Sequence, residues 1–145
     1  MSTADNNDDI AAFRRNIRFP TGFLVFFPLG VFLAGPVVPK RPYSSDPKAV
    51  LPQSRDEKTG KLLWTCAVTD PVAAAQNARR GTFDVVFISD TEPKPPVEEY
   101  GAKVELEGVE VAPRLGGNGE FRFIFYAVFA TGFGSAPAGR SPKAA

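Results

Sequence analysis

The residues able to do chemistry in this chain are aromatic rings set among cations. Trp64, Tyr43, Tyr126 and Arg122 accompany Lys40, Arg41, Arg55, Lys58, Lys61, Arg79 and Arg80. Rings that stack on bases, bordered by Lys and Arg that meet phosphates, are the means by which proteins hold single-stranded nucleic acid. Each residue also has a plainer assignment. Trp64 can fill a core, Tyr43 can be a loop residue, and Arg122 can extend its stem over apolar surface and reach solvent. On residue types alone the plainer assignments are the simpler ones.

Other chemistry is poorly supplied. The chain has no histidine, which removes the commonest metal ligand, the usual general base near neutral pH and every Ser-His or Cys-His nucleophile pair. Cys66 is the single cysteine, so an intrachain disulfide or a thiolate metal cluster within one chain is excluded. Glu98 with Glu99, and Glu105 with Glu107 and Glu110, have no third group to organise them and read as solvated acids. "LGGNG" lacks the Lys and Ser/Thr of a phosphate loop and precedes a strand, so it reads as a turn. A binding protein rather than an enzyme is expected, with no cofactor.

Net charge is +1, but it is unevenly spread. Lys40, Arg41, Lys48, Arg55, Lys58, Lys61, Arg79 and Arg80 face only Asp46, Asp56, Glu57 and Asp70 in the same stretch. Between Thr82 and Glu120 acids outnumber bases nine to three. A split of this kind can present a basic face to a polyanion; a solvated surface of mixed sign is the commoner cause.

The elements that must position these residues read as short strands. The uncharged run "GFLVFFPLGVFLAGPVVP", Gly22 to Pro39, nearly has the length of a membrane span. Pro28, Pro36, Gly22, Gly30 and Gly35 break it, and its Phe and Val favour extended backbone. Phe23–Phe27 and Val31–Val38 are therefore expected as a bent strand pair, in a soluble, cytoplasmic chain. No signal peptide is expected, since acids precede the arginines and no convincing cleavage site follows.

Downstream, "DEKTG" reads as a turn before the strand "KLLWTCAVTD", which places Leu62, Trp64, Cys66 and Val68 on one face. "DPVAAAQNARRG" predicts a short helix with Asp70 as cap, Pro71 at its first position and Gly81 at its end. Arg79 and Arg80 would complement its dipole. "TFDVVFIS" is a strand and "DTEPKPPVEEYG" a loop. In "KVELEGVEVAP" the alternation changes at Gly108, and a bulge or sharp bend there would return Val104, Leu106, Val109 and Val111 to one side. "RLGGNGE" is a hairpin turn. In the last strand, "FRFIFYAVFATGF", the row Phe121, Phe123, Phe125 and Phe129 is most simply core, although with both faces apolar one of them could be a stacking platform.

The fold class expected is mostly β: a small five- to six-stranded barrel, OB-like, with one short helix and disordered termini. Its parts would be a polar leader over 1–18, one β-barrel-like domain over 19–133 and a disordered tail over 134–145. The helix follows the second long strand rather than the third, as an OB fold would have it, so a β-sandwich or an SH3-like barrel stays open.

Four segments in order, "FPLGVFLAG", "QSRDEKTGKLLWTCAVTD", "KPPVEEYGAKVELEGVEVAP" and "FYAVFATGF", resemble a family of small actinobacterial proteins encoded on integrative and conjugative plasmids. These are the plasmid replication, integration and excision activators. The resemblance spans about Phe27 to Phe133 and is best over Arg55–Asp70, where "RD-x-x-TG-x-x-LW" stands. It implies an accessory protein of a mobile element and brings no catalytic residues. The expectation is nucleic-acid binding, with single-stranded DNA favoured and a replication or recombination protein as a possible partner. A protein–protein or self-assembling β module, including a homo-oligomer, is the alternative.

Overall fold

The structure is a computed structural model that describes residues 17–135. The expected disorder of the leader and tail falls on 1–16 and 136–145, outside the described residues. Arg18, assigned to the leader by sequence, instead belongs to the domain. Its guanidinium bonds Asp56 at 2.9 Å and Glu110 at 2.9 Å.

The fold is mostly β. In chain order the elements are β1 (Phe19–Pro20), α1 (Phe23–Phe26), β2 (Val31–Leu33), β3 (Val38–Pro39), β4 (Leu63–Thr69), α2 (Pro71–Gln76), β5 (Thr82–Ile88), β6 (Lys103–Val104), β7 (Leu106–Glu107), β8 (Glu110–Asn118), β9 (Phe121–Ala130) and β10 (Gly132–Phe133). A 3-10 turn, Ala78–Arg80, follows α2. The large sheet runs β1-β8-β9-β5-β4-β2-β6, with β3 also on β4, and β7 pairs β10 separately. All these pairings are antiparallel except β5 with β9. The sheet is an open path and does not close into a barrel.

The front of the chain corrects one expectation. Phe23–Phe26 is a single helical turn, closed by Phe27 N–H donating to Phe23 C=O at 2.8 Å. Strand-favouring side chains yield here because one turn packs Phe27 into the core and Phe23 and Phe26 against it. Val31–Val38 is extended but broken at Gly35-Pro36, and both pieces lie on the same edge of β4. No helix among the described residues is long and apolar enough to cross a membrane.

β4 follows its alternation: Trp64, Cys66 and Val68 are buried between less buried neighbours. They face Val85 and Phe87 of β5, then Val128 and Ala130 of β9. Asp70 caps α2 by accepting from Val72 N–H at 3.1 Å, with Pro71 at the first position as predicted. At Gly108 (φ +61°) a sharp bend buries Val104, Leu106, Val109 and Val111 together. A Cβ there would stand 2.5 Å from Thr131 Oγ1, so glycine is needed for space as well as for φ. β8 and β9 continue through this bend as β7 and β10, and the chain from β6 to β8 runs from one end of the sheet order to the strand next to the other end, β1.

The Phe row of β9 is a second correction. Val128 and Ala130 are the buried positions, whereas Phe121 is 82% exposed and Phe125 43%. The core side is taken by the small residues that fit against Val85 and Phe87, and alternation then sends the phenylalanines to the other face.

Candidate nucleic-acid interface

The β8–β9 hairpin holds the site because it outruns the sheet. β9 pairs with β8 from Phe121 to Phe129 but with β5 only from Val128 to Ala130. Its first seven residues therefore extend away from β5. On the face opposite the core lie Phe123, Phe125 and Phe129 of β9, with Arg114 paired to Phe125 and Gly116 paired to Phe123. Gly116 makes room for the rings: a Cβ there would lie 2.7 Å from Phe123 Cζ and 3.3 Å from Phe125 Cδ1. The two rings sit 6.1 Å apart, tilted by 48°.

Cations border this row at both ends. The Arg80 guanidinium lies 3.8 Å from the Phe123 ring centroid, a cation–π contact supplied by the 3-10 turn. At the far end Arg55, Lys58, Arg114 and Phe129 line a hollow of about 200 Å³ together with Arg18, Asp56 and Glu57. Arg18 stands 5.2 Å from the Phe129 ring centroid and pairs with both Asp56 and Glu110, its single charge set against their two. Burial alone would raise the Asp56 pKa. Hydrogen bonds from Arg18 and Thr59, and the Arg18 charge, outweigh it and hold the carboxyl below its usual range.

Beside the row, where β5 and β9 part, a groove of about 640 Å³ opens. Phe26, Phe83, Ile124, Tyr126, Arg79 and Arg80 are among the residues that line it. Phe26 and Tyr126 meet edge to face at 5.7 Å.

The structure divides the sequence-predicted site residues. Arg55 and Lys58 come together with Arg114; Arg79, Arg80 and Tyr126 share the groove; Arg122 stands exposed near the hairpin tip, opposite Gly117. Trp64 is withdrawn from the surface: it is only 9% exposed and its Nε1–H donates to Ser89 C=O at 2.8 Å, so it is a core residue, not a stacking platform. Lys40, Arg41, Tyr43 and Lys61 are exposed on the long connection between β3 and β4 and line neither the hollow nor the groove; Lys61 C=O accepts from Asp56 N–H at 2.8 Å, and Arg41 Nη1 donates to Leu51 C=O at 2.7 Å. Cys66 is buried and donates toward Gly35 C=O at 3.4 Å; burial, and then the Asp84 charge, push its thiol up to about 11.

Sequence reasoning missed Phe123, Phe125 and Arg114 as site residues. The available signal was the glycine opposite a row of phenylalanines, a place where the missing Cβ leaves room for rings. In comparisons with protein-family models, curated proteins and solved structures, nothing matches this chain.

Proposed function

We propose that the outward face of the β8–β9 hairpin binds single-stranded nucleic acid, with DNA favoured. The observation that carries this reading is the row Phe123, Phe125 and Phe129 bordered by Arg80 at one end and by Arg114, Arg55 and Lys58 at the other. The exposed Phe125 ring offers a face to a base, at about 1–3 kcal/mol per stacked base, while Arg80 and Arg18 already lie over the Phe123 and Phe129 rings; the cations offer charge to phosphates. Arg79 and Arg122 extend the positive border. The bend at Gly108, and the run from β6 at one end of the sheet to β8 next to the other, support an OB-like relation within the same reading. The plasmid-activator resemblance gives the setting: a cytoplasmic accessory protein of a mobile element acting where replication or excision exposes single strands.

Fluorescence anisotropy with a labelled oligothymidylate tests this. Binding at low salt that weakens as salt rises supports it; no binding at micromolar protein in low salt rejects it. A protein-binding module is the second reading, favoured by one observation: the other face of the hairpin tip is apolar, with Leu115 62% and Ile124 67% exposed.

A further inference from the structure

The inward face of the hairpin tip is apolar and exposed. Leu115 and Ile124 stand opposite each other in the β8–β9 register, whereas Val111 and Val128, on the same face nearer the core, are buried. That surface continues into the groove of about 640 Å³, which Ile124 also lines. Phe26, Val72, Phe83 and Tyr126 give the groove an apolar lining, and its charged residues are Asp70, Arg79 and Arg80. Asp70 is nearly buried and engaged as the cap of α2, so the two arginines set the sign of the rim. What fits is a segment with apolar side chains next to carboxylates.

The chain carries such a segment outside the described residues: Asp5, Asp8 and Asp9 precede Ile10 and Phe13. Its point of attachment brings it to the same place. β1 and β8 are antiparallel with Phe19 opposite Val111, so Ile17, two residues earlier, leads toward the hairpin tip. From β1 across β8 to β9 is about 10 Å, two strand spacings. Four residues, from Ile17 back to Phe13, span up to about 13 Å, and the next four, back to Asp9, as much again. Phe13 thus reaches Leu115 and Ile124. The acids then need only pass Phe123, the neighbour of Ile124, over which Arg80 already lies. We propose that the chain's own residues Asp5 to Phe13 dock on this surface, with Phe13 and Ile10 on the apolar tip and groove lining, and Asp8 and Asp9 at Arg79 and Arg80. The tether raises the local concentration of the segment to the millimolar range, so weak contacts suffice. Arg14 and Arg15, within three residues of Ile17, stay at the crossing and do not enter the groove with the acids. The inference stands apart from nucleic-acid binding, and its test contains none. Where that reading also holds, the docked acids and phosphate compete for Arg80.

A nitroxide attached through Asn7→Cys, next to Asp8, reports the docked position in NMR spectra of the full chain; Cys66 is buried and does not take the label. Selective broadening of the Arg79, Arg80, Thr82 and Ile124 amide signals is expected. Lys58 is the control: Arg18 pairs with Asp56 two residues before it, so a segment swinging freely from Ile17 would broaden its signal as well. Reversing the acids with Asp8→Arg and Asp9→Arg should abolish the selectivity, and adding Arg79→Asp and Arg80→Asp should restore it. Mixing the isotope-labelled nitroxide chain with an excess of plain chain identifies the occupant. Broadening that persists is expected; broadening that vanishes would mean that the segment comes from a second copy. No selective broadening, selectivity that survives acid reversal, or loss in the mixture would each overturn the proposal. If the variant with both arginines reversed does not fold, the acid reversal and the mixture decide it alone.

Discussion

Asp56→Ala should loosen the loop that places Arg55 and Lys58 beside Arg114. The Asp56 carboxylate, 8% exposed, accepts from Arg18 at 2.9 and 3.3 Å and from Thr59 N and Oγ1 at 3.1 and 2.9 Å. Removing one partner of a buried ion pair costs about 3–5 kcal/mol when the other charge is left alone. Arg18 is not left alone, because Glu110 stays at 2.9 Å with a side chain 35% exposed. The expected loss is therefore about 2–3 kcal/mol, mostly from hydrogen bonds to a charged acceptor. For a chain of this size that lowers Tm by roughly 6–10 °C. The assay is urea unfolding followed by Trp64 fluorescence, with Arg18→Ala and the double variant completing a cycle that should show coupling above about 1 kcal/mol. The sign of the pH dependence follows from the depressed folded pKa. The contribution is complete above the unfolded value of about 4 and is lost as pH falls through the lower folded value. The gap between wild type and Asp56→Ala should thus be full at neutral pH and narrow in acid. A loss below about 0.5 kcal/mol, the range of exposed ion pairs, would refute the reasoning.

Gly108→Ala meets both a left-handed φ and the Thr131 side chain, and should cost about 1–3 kcal/mol in the same unfolding assay; an unchanged midpoint would contradict the bend as described. The Cys66 thiol, buried and raised to about 11, should not react with Ellman's reagent at pH 8 until the chain is unfolded in urea. Phe125→Ala, at an exposed position, should weaken oligothymidylate binding by about 1–3 kcal/mol in anisotropy titrations while leaving the unfolding free energy unchanged to within about 0.5 kcal/mol.

Much of the fold was legible because local chemistry and tertiary packing agree. Alternation in Leu63–Thr69, the Asp70-Pro71 helix start and the parity change at Gly108 all survive in the structure, since burial on one face rewards each of them. Two readings failed where the sequence offers equivalent choices. Phe23–Phe26 has the side chains of a strand, yet Pro28 and Gly30 leave too short a run to pair, and one helical turn packs more aromatic surface against the core. In β9 both faces are apolar, and only the neighbours decide which is inside: Val85 and Phe87 leave space for Val128 and Ala130 but not for phenylalanine. The candidate site was half legible for the same reason. Arg55, Lys58, Arg79 and Arg80 were found by charge, whereas Phe123 and Phe125 were hidden by the ordinary expectation that phenylalanine is core. Trp64, the residue most suited to stacking, is held inside by a hydrogen bond to Ser89 that no sequence pattern announces.

The central claim is that aromatic faces and arginines of the β8–β9 hairpin act together on a flexible polyanion. Its most direct test is an anisotropy titration of the wild type with single- and double-stranded oligonucleotides of one sequence at several salt concentrations. Tighter binding of the single strand is expected, with the logarithm of affinity falling linearly against the logarithm of salt at a slope of about −2 to −3, the counterion release of three or four phosphates. Equal affinity for the duplex, or affinity indifferent to salt, would contradict the claim.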